Sequence, residues 1–516
     1  MNGAESLVKT LLASGVNVCF ANPGTSEMHF VAALDAHPEM RCILCLFEGG
    51  TSGAADGYFR MKGEVAATLL HLAPGFGNAF ANLHNARKAQ SGIVNIMGDH
   101  ATYHLKYESP LKGDTIGISQ AVSHWTYVSD DAASVAGDGA AAVRAARSNG
   151  GQIATLILPS NTAWEDAVAP HTSSAPHPLQ RPLPADITTA AHALRGPDAV
   201  LMIDGHALWG DLRLVVARIA KATGCQLMCP FFAARIQRGE GSLLGNRLAF
   251  RISDNMPVLA NKKMIVLCGS ERPVSFFAYP GKPSLPEPPD CRVFDLCSPT
   301  MDYAWTLEAL AEAVGANKIE LGPEDFQKLD LPPVPTGAIS LEKIGQAIAA
   351  LMPEHTIIVD EGISSSRFIA APTMGARSHD WLNVTGGAIG FGLPAAVGAA
   401  VACPDRKVLA LEGDGSAMYT IQALWTMARE NLDVTVVILS NRGYQILRME
   451  LEAVGVKHVG RNAVKMLDVA DPGLDWVALA KGHGVDAVRV SDTDEFVAAF
   501  GGAMKKKGPF LIEVVL

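Results

Sequence analysis

"VLALEGDGSAMYTIQALWTMARENLDVTVVILSN", residues 408–441, holds two apolar runs separated by a helical pattern. The first run, Val408 to Leu411, leads into Gly413-Asp414-Gly415, and the second ends at Asn441, followed by Arg442, Gly443 and Tyr444. Near-continuous apolar strands joined by a helix predict parallel neighbours buried on both faces, with ligands gathering at their carboxyl ends. Glycines on either side of Asp414 permit a sharp turn and close backbone approach. On residue types alone Asp414 has two readings, a cap on the following helix or a cation ligand. In the second, the Asp414 carboxylate, the Asn441 amide oxygen and a backbone carbonyl near Gly443 make an oxygen-only set suited to Mg²⁺, with Ca²⁺ as a substitute. The N–H groups of Gly415 and Ser416 at a helix N-terminus would then face a phosphate. The turn reads as a metal-diphosphate site.

The pattern repeats outward from this stretch. "VNVCFA", "RCILCLF", "VAATLLHL" and "GIVNIMG" precede it in the first part of the chain, "AVLMIDG" and "KMIVLCG" in the middle, and "TIIVDEG" and "FLIEVVL" flank it. Glycine or an acid follows almost every run. Two proline-rich stretches, "TSSAPHPLQRPLPAD" (172–186) and "LDLPPVPTGAIS" (329–340), resist helix and central strand and read as surface linkers. They divide the chain into an N-terminal domain (1–171), a central domain (187–328) and a C-terminal domain (341–516), each of ordinary size. The expected fold is α/β, with three doubly wound parallel-sheet domains.

Composition excludes several classes. With 516 residues, 48% of them hydrophobic and 18% charged, the chain has material for several large cores. A net charge of −10 with dispersed acids offers no surface for nucleic acid. No stretch reaches the roughly 18 uninterrupted apolar residues of a membrane span. Met1-Asn2-Gly3-Ala4-Glu5 lacks the basic opening of a signal peptide. Nine scattered cysteines suit a reducing compartment, so a cytoplasmic protein is expected. Cys42 and Cys45 form a CxxC inside an apolar run and read as small core residues. His100 and His104 in "GDHATYH" have i,i+4 spacing but no third ligand, and read as pocket-edge residues rather than zinc ligands.

The GDG turn, followed after a helix and a strand by Asn441, is similar to the cofactor motif of the thiamine-diphosphate-dependent 2-oxo acid decarboxylase and acetohydroxyacid synthase superfamily. The resemblance extends over the whole chain. "NPGTSE" (22–27) looks like the family's first cofactor loop, "FEGGTSGAADGY" (47–58) its glutamate segment, and "GGAIGFGLPAAVGAA" (386–400) the stretch supporting the bent cofactor. Benzoylformate decarboxylases and acetolactate-synthase-like proteins match most closely. The resemblance implies three α/β domains, thiamine diphosphate with Mg²⁺, and a homodimer or homotetramer clasping the cofactor between subunits. Asp414, Asn441 and Gly443 would be the metal residues.

The resemblance also assigns roles. Glu48 would share a proton with the cofactor's pyrimidine N1′ and so drive loss of the thiazolium C2 proton. Its position after an apolar run suits a desolvated carboxyl, although a dipole-stabilised acid at a helix start explains the same residue. His71 would transfer protons to the substrate; an ordinary packing histidine is the alternative. Thr25 supplies the hydroxyl of a substrate-binding serine. Cofactor contacts fall on Pro23, Asn78, Ile363, Ser364, Gly387, Asp414, Gly415, Ser416, Tyr444 and Ile446. Ile389 would wedge between the cofactor's rings, or simply pack helix against sheet. Ile446 and Leu447 would face the substrate. The decarboxylases' second active-site histidine has no counterpart, since "PVSFFAYPG" offers Phe276 and Phe277 instead.

The implied activity is decarboxylation of a small 2-oxo acid to an aldehyde and CO₂, with carboligation as a side activity. Acetolactate-synthase-like carboligation is the alternative. Against it, the synthases' Phe-Gln-Glu segment is replaced by Pro110-Leu111-Lys112-Gly113, and the chain is short for a synthase with FAD in its middle domain. A nucleotide-binding oxidoreductase or non-catalytic binding protein is the reading of another class, resting on "MIDGHALWGDL", which lacks a full GxGxxG.

Overall fold

The apolar runs become strands because helices cover both their faces. The computed structural model, which describes residues 1–516, arranges them in three sheets. The first contains β1 (Val18–Ala21), β2 (Arg41–Leu44), β3 (Ala66–Leu70), β4 (Ile93–Asp99), β5 (Trp125–Val128) and β6 (Ile153–Pro159). Their order is β2-β1-β3-β4-β6-β5, parallel throughout. The central sheet holds β7 (Ala199–Ile203) and β8 (Gln226–Cys229); β9 (Arg235–Arg238) then leaves it, and β10 (Asn246–Arg247), β11 (Met264–Cys268) and β12 (Arg292–Cys297) complete it. The third sheet is built from β13 (Ile357–Glu361), β14 (His379–Asn383), β15 (Val408–Gly413), β16 (Val434–Ser440), β17 (Asp486–Val490) and β18 (Phe510–Val515), in the order β17-β18-β16-β15-β13-β14-β9.

These are the three parallel-sheet α/β units expected, with one difference. β9 runs antiparallel to β14, so the third sheet is mixed and takes its edge strand from the central segment. Side chains fix the crossing. Arg235 donates from Nε to Asp380 Oδ1 at 2.7 Å and lies 3.9 Å over the Trp209 ring. Arg238 stacks 4.6 Å over Trp381.

Strand order reverses between β1 and β3 in the first sheet and between β13 and β15 in the third. Such reversals open a crevice at the carboxyl ends of the strands. The Glu48–Lys62 helix packs closely on the Gly392–Ala402 helix and joins the first unit to the third. Small residues permit this: a Cβ on Gly398 would lie 1.9 Å from the Ala54 carbonyl oxygen. The same helix carries a buried ion pair, Arg60 with Asp56, whose side chains are 1% and 0% exposed.

Neither proline-rich stretch contains a helix or ladder strand until Pro184 opens the Pro184–Ala193 helix. The expectation for Cys42 needs correction: it is exposed, because β2 is an edge strand, whereas Cys45 is buried. All nine cysteines are free thiols. No helix is long and apolar enough to cross a membrane.

Candidate active site

Two groups of side chains collect at the two crevices. The first lies where β1, β2 and β3 end. Glu48 opens its helix immediately after the β2 segment and is buried, with Oε2 accepting from Asn78 Nδ2 at 3.0 Å. Asn78 therefore engages Glu48 directly. His71 follows β3, and Leu72 after it adopts φ +50°. Gly75 is the neighbour of both residues: a Cβ there would sit 2.9 Å from Glu48 Oε1 and 3.2 Å from the His71 Cβ. Glu48 and His71 thus border one space. Pro23 lies on the loop after β1, and exposed Thr25 opens the short 3-10 turn Thr25–Glu27 that follows it.

Behind His71 stands Glu27, which reasoning from sequence did not single out. Its side chain is 2% exposed, and its Oε2 accepts from Gly24 N–H at 2.7 Å and meets His71 Nδ1 at 2.9 Å. The Ser26 hydroxyl donates to Oε1. The nearest sequence signal was the acid three residues after Gly24, a capping pattern.

The second group lies where β13, β15 and β16 end. Asp414 starts a short helix, Asp414–Ala417, and is buried. Its Oδ1 accepts from Gly415 N–H at 2.8 Å and its Oδ2 from Arg442 N–H. Burial raises its pKa, opposed by these N–H groups. Asn441 Oδ1 accepts from Gly443 N–H at 3.1 Å, and the Gly443 carbonyl accepts from Gln445 N–H at 3.0 Å. Tyr444 lies against Gly415, where a Cβ would come within 2.5 Å of its ring. No three His, Cys, Asp or Glu side chains converge as a metal cluster anywhere in the chain. The donor set at this turn is one carboxylate with amide and carbonyl oxygens, which fits a hard cation that also binds phosphate oxygens.

Backbone strain marks the same places. Ile363, after β13, has φ +46°, and Arg442, after β16, has φ +56°. A β-branched residue in this region is a genuine outlier, and such conformations persist at functional sites when their surroundings enforce them. Ser364 follows, half-buried. Ser416 Oγ donates to the Glu361 carbonyl at 3.2 Å, joining the two turns.

The loop 385–392 connects the groups. Asn85 Nδ2 donates to the Ala388 carbonyl at 2.8 Å and Asn82 Nδ2 to the Gly390 carbonyl at 2.9 Å. Ala388 is therefore fixed between Gly387 (φ +73°) and half-buried Ile389. Phe276 closes over this loop, since a Cβ on Gly387 would lie 2.9 Å from its ring. Tyr279 donates to Glu450 at 2.9 Å and ties the same central segment to the Gln445–Ala453 helix, where Ile446 is half-buried and Leu447 exposed. Phe277 is exposed. No hydrogen bond joins the Glu48 group to the Asp414 group within the chain. His100 Nε2 pairs with the Ser109 hydroxyl, and the His100 and His104 rings lie 5.7 Å apart.

Beneath the loop lie two buried carboxyls, in register on β13 and β15. Glu361 accepts N–H groups from Gly390, Phe391 and Gly392 at 2.8, 3.0 and 2.9 Å. Burial nevertheless raises its pKa to about 7. Glu412 has no donor for either oxygen, and burial first, then the neighbouring Glu361 carboxyl, pushes its pKa well above the usual carboxyl range.

Residues 1–143 match the family description "Thiamine pyrophosphate enzyme, N-terminal TPP binding domain", and residues 362–514 match its "C-terminal TPP binding domain". A Mycobacterium tuberculosis protein, IlvX, described provisionally as an acetolactate synthase large subunit, is 48% identical over 100% of this chain and 99% of its own. Benzoylformate decarboxylase of Pseudomonas aeruginosa is 28% identical, covering 97% of this chain and 96% of its own. Among solved structures, the thiamine diphosphate-dependent 4-hydroxybenzoylformate decarboxylase of Rhodococcus jostii superimposes with a TM-score of 0.84 at 25% identity, over 99% of this chain and 98% of that one.

Proposed function

The chain belongs to the thiamine pyrophosphate enzyme family, and on that premise we propose that it decarboxylates a small 2-oxo acid to an aldehyde and CO₂, using thiamine diphosphate and Mg²⁺. The observation that carries this reading is the shared border of Glu48 and His71 across Gly75, which sets a proton-transfer side chain beside the activating carboxyl. When bound, the cofactor supplies a carbon nucleophile that also takes up the electrons released with CO₂. Glu48, buried and held by Asn78, would hold the pyrimidine end of the cofactor and supply the carboxyl that activates it. His71 delivers the proton that ends the reaction at the aldehyde carbon. Thr25 binds the substrate carboxylate from the turn after β1, and Pro23 lines the loop before it.

At the other crevice, Asp414, Asn441 and the Gly443 backbone hold the cation. The turns at Ile363–Ser364 and Gly415–Ser416 offer backbone N–H and hydroxyl groups to the diphosphate. The Gly387 carbonyl would serve as a hydrogen-bond acceptor for the cofactor, and Ile389, Tyr444 and Ile446 would supply packing surface around it. The family resemblance supports a site assembled between two subunits of a homodimer or homotetramer.

Carboligation is the second reading, favoured by the 48% identity to the synthase-like mycobacterial protein. Mass spectrometry of products from a panel of 2-oxo acids, each with and without an added aldehyde, separates the two. Aldehyde as the main product supports the lyase; a hydroxyketone formed in preference to free aldehyde overturns it. Calorimetry with thiamine diphosphate and Mg²⁺ against NAD tests both against the oxidoreductase reading.

A further inference from the structure

We infer that Glu27 is a positioning residue that fixes the tautomer and aim of His71, so that Nδ1 carries a proton toward Glu27 and Nε2 is turned to the reacting space. This rests on the reading of His71 as the proton-transfer group.

The hydrogen-bond roles leave little choice. Glu27 Oε2 accepts from Gly24 N–H at 2.7 Å, and Oε1 accepts from the Ser26 hydroxyl. Donors directed at both oxygens favour the ionised form, and a carboxylate has no proton to give. Its 2.9 Å contact with His71 Nδ1 therefore requires the proton on nitrogen. Ser26 Oγ lies 3.3 Å from the same nitrogen; with its own proton committed to Glu27, it meets Nδ1 as a second acceptor. No protein group engages Nε2, and the His71 side chain is 20% exposed while Glu27 is 2% exposed.

The surroundings are shaped for this contact. A Cβ on Gly98, at the end of β4, would lie 1.8 Å from Glu27 Oε1, and a Cβ on Gly24 would lie 2.1 Å from His71 Nδ1. Two glycines on separate elements clear the seats of the carboxylate and the ring. A buried glutamate is rare unless paired, and the partner here is the one imidazole that borders Glu48. A carboxylate behind an imidazole selects the tautomer and stabilises the imidazolium that forms when Nε2 takes a proton.

Nitrogen-15 NMR of the apoprotein tests the assignment without turnover. The His71 signal is identified by its loss in His71→Ala. The wild type should show the Nδ1–H tautomer or the imidazolium, and Glu27→Gln should shift the ring toward Nε2–H. A neutral Nε2–H form in the wild type overturns the proposal, even if no variant folds. Turnover of 2-oxobutanoate, or of whichever acid in the panel reacts fastest, supplies a double-mutant cycle. Glu27→Gln should lower kcat by about 10- to 100-fold, less than the roughly 10²–10⁴-fold of direct acid–base catalysis because Glu27 acts through His71, with KM changed less than kcat. Combined with His71→Ala it should cost nothing further. Additive losses would mean that Glu27 acts independently of His71 and would overturn the proposal. Wild-type turnover by His71→Ala would instead remove His71 from the reaction, while the tautomer result stands or falls separately.

Discussion

Asn78 donates to Glu48 Oε2 at 3.0 Å, while Glu48 Oε1 lies 2.9 Å from where a Cβ on Gly75 would sit, so the buried acid has one oxygen engaged and the other against glycine. Glu48→Gln should remain folded and bind cofactor but lose most exchange of the cofactor's C2 proton. An amide cannot share the pyrimidine proton as a carboxyl does. NMR after acid quench measures the exchange, and wild-type rates would remove Glu48 from the mechanism.

Asp414 accepts two backbone N–H groups and keeps further lone pairs for the proposed cation. Asp414→Ala should weaken Mg²⁺-dependent binding of thiamine diphosphate by at least about tenfold, or 1.4 kcal/mol. Calorimetric titration at fixed Mg²⁺ checks this; unchanged affinity would refute the metal assignment.

Ile446 sits on the helix that Tyr279 ties to the Phe276 segment. Its stiff, branched side chain should crowd a phenyl ring, at about 1–3 kcal/mol, or roughly ten- to a hundred-fold in rate. Small 2-oxo acids should outperform benzoylformate, and Ile446→Ala should raise the benzoylformate to 2-oxobutanoate ratio of kcat/KM. A constant ratio means that Ile446 does not shape the pocket.

Arg60 donates to both Asp56 oxygens, at 2.8 and 2.6 Å, and also to the Asn383 carbonyl at 2.6 Å. Asp56→Ala leaves a buried guanidinium without its counter-charge and should destabilise the fold by about 3–5 kcal/mol. Urea denaturation followed at the first transition reads the loss.

His379 is buried, donates from Nδ1 to the Arg377 carbonyl at 2.8 Å and has no partner at Nε2. Burial first, then the nearby Arg238 charge, lowers its pKa from 6.5 to about 4. The unfolded chain takes up that proton at about pH 6.5. The stabilisation is therefore complete above that pH and shrinks as pH falls toward 4, by about 3 kcal/mol. Unfolding free energies of His379→Gln should fall less steeply than wild type across this window; parallel slopes would contradict it.

Each apolar run quoted from sequence is a strand in the structure, whereas the equally apolar and fully buried β6 ("IATLILP") was not singled out. β9 ("RIQR") and β14 ("HDWLN") carry no such run, because arginine stacking and ion pairing hold them in place of a uniform apolar surface. The glycine-flanked Asp414 and its distance in sequence from Asn441 were legible because both follow strand ends. Glu27 was not: its importance comes from contacts with Gly98 and His71, far along the chain, and only the folded backbone brings them together. Glu361 and Glu412 looked like ordinary acids at strand ends for the same reason.

The antiparallel crossing of β9 has a bearing on modularity. A chain cut at the two proline-rich stretches and religated without its middle third would strip β14 of one of its two hydrogen-bonding neighbours and release Asp380 from Arg235. The remainder would carry a bare, ladder-ready margin, the kind of surface that templates self-association. Shuffling this middle segment among homologues therefore calls for Arg235–Arg238 to stay with the recipient.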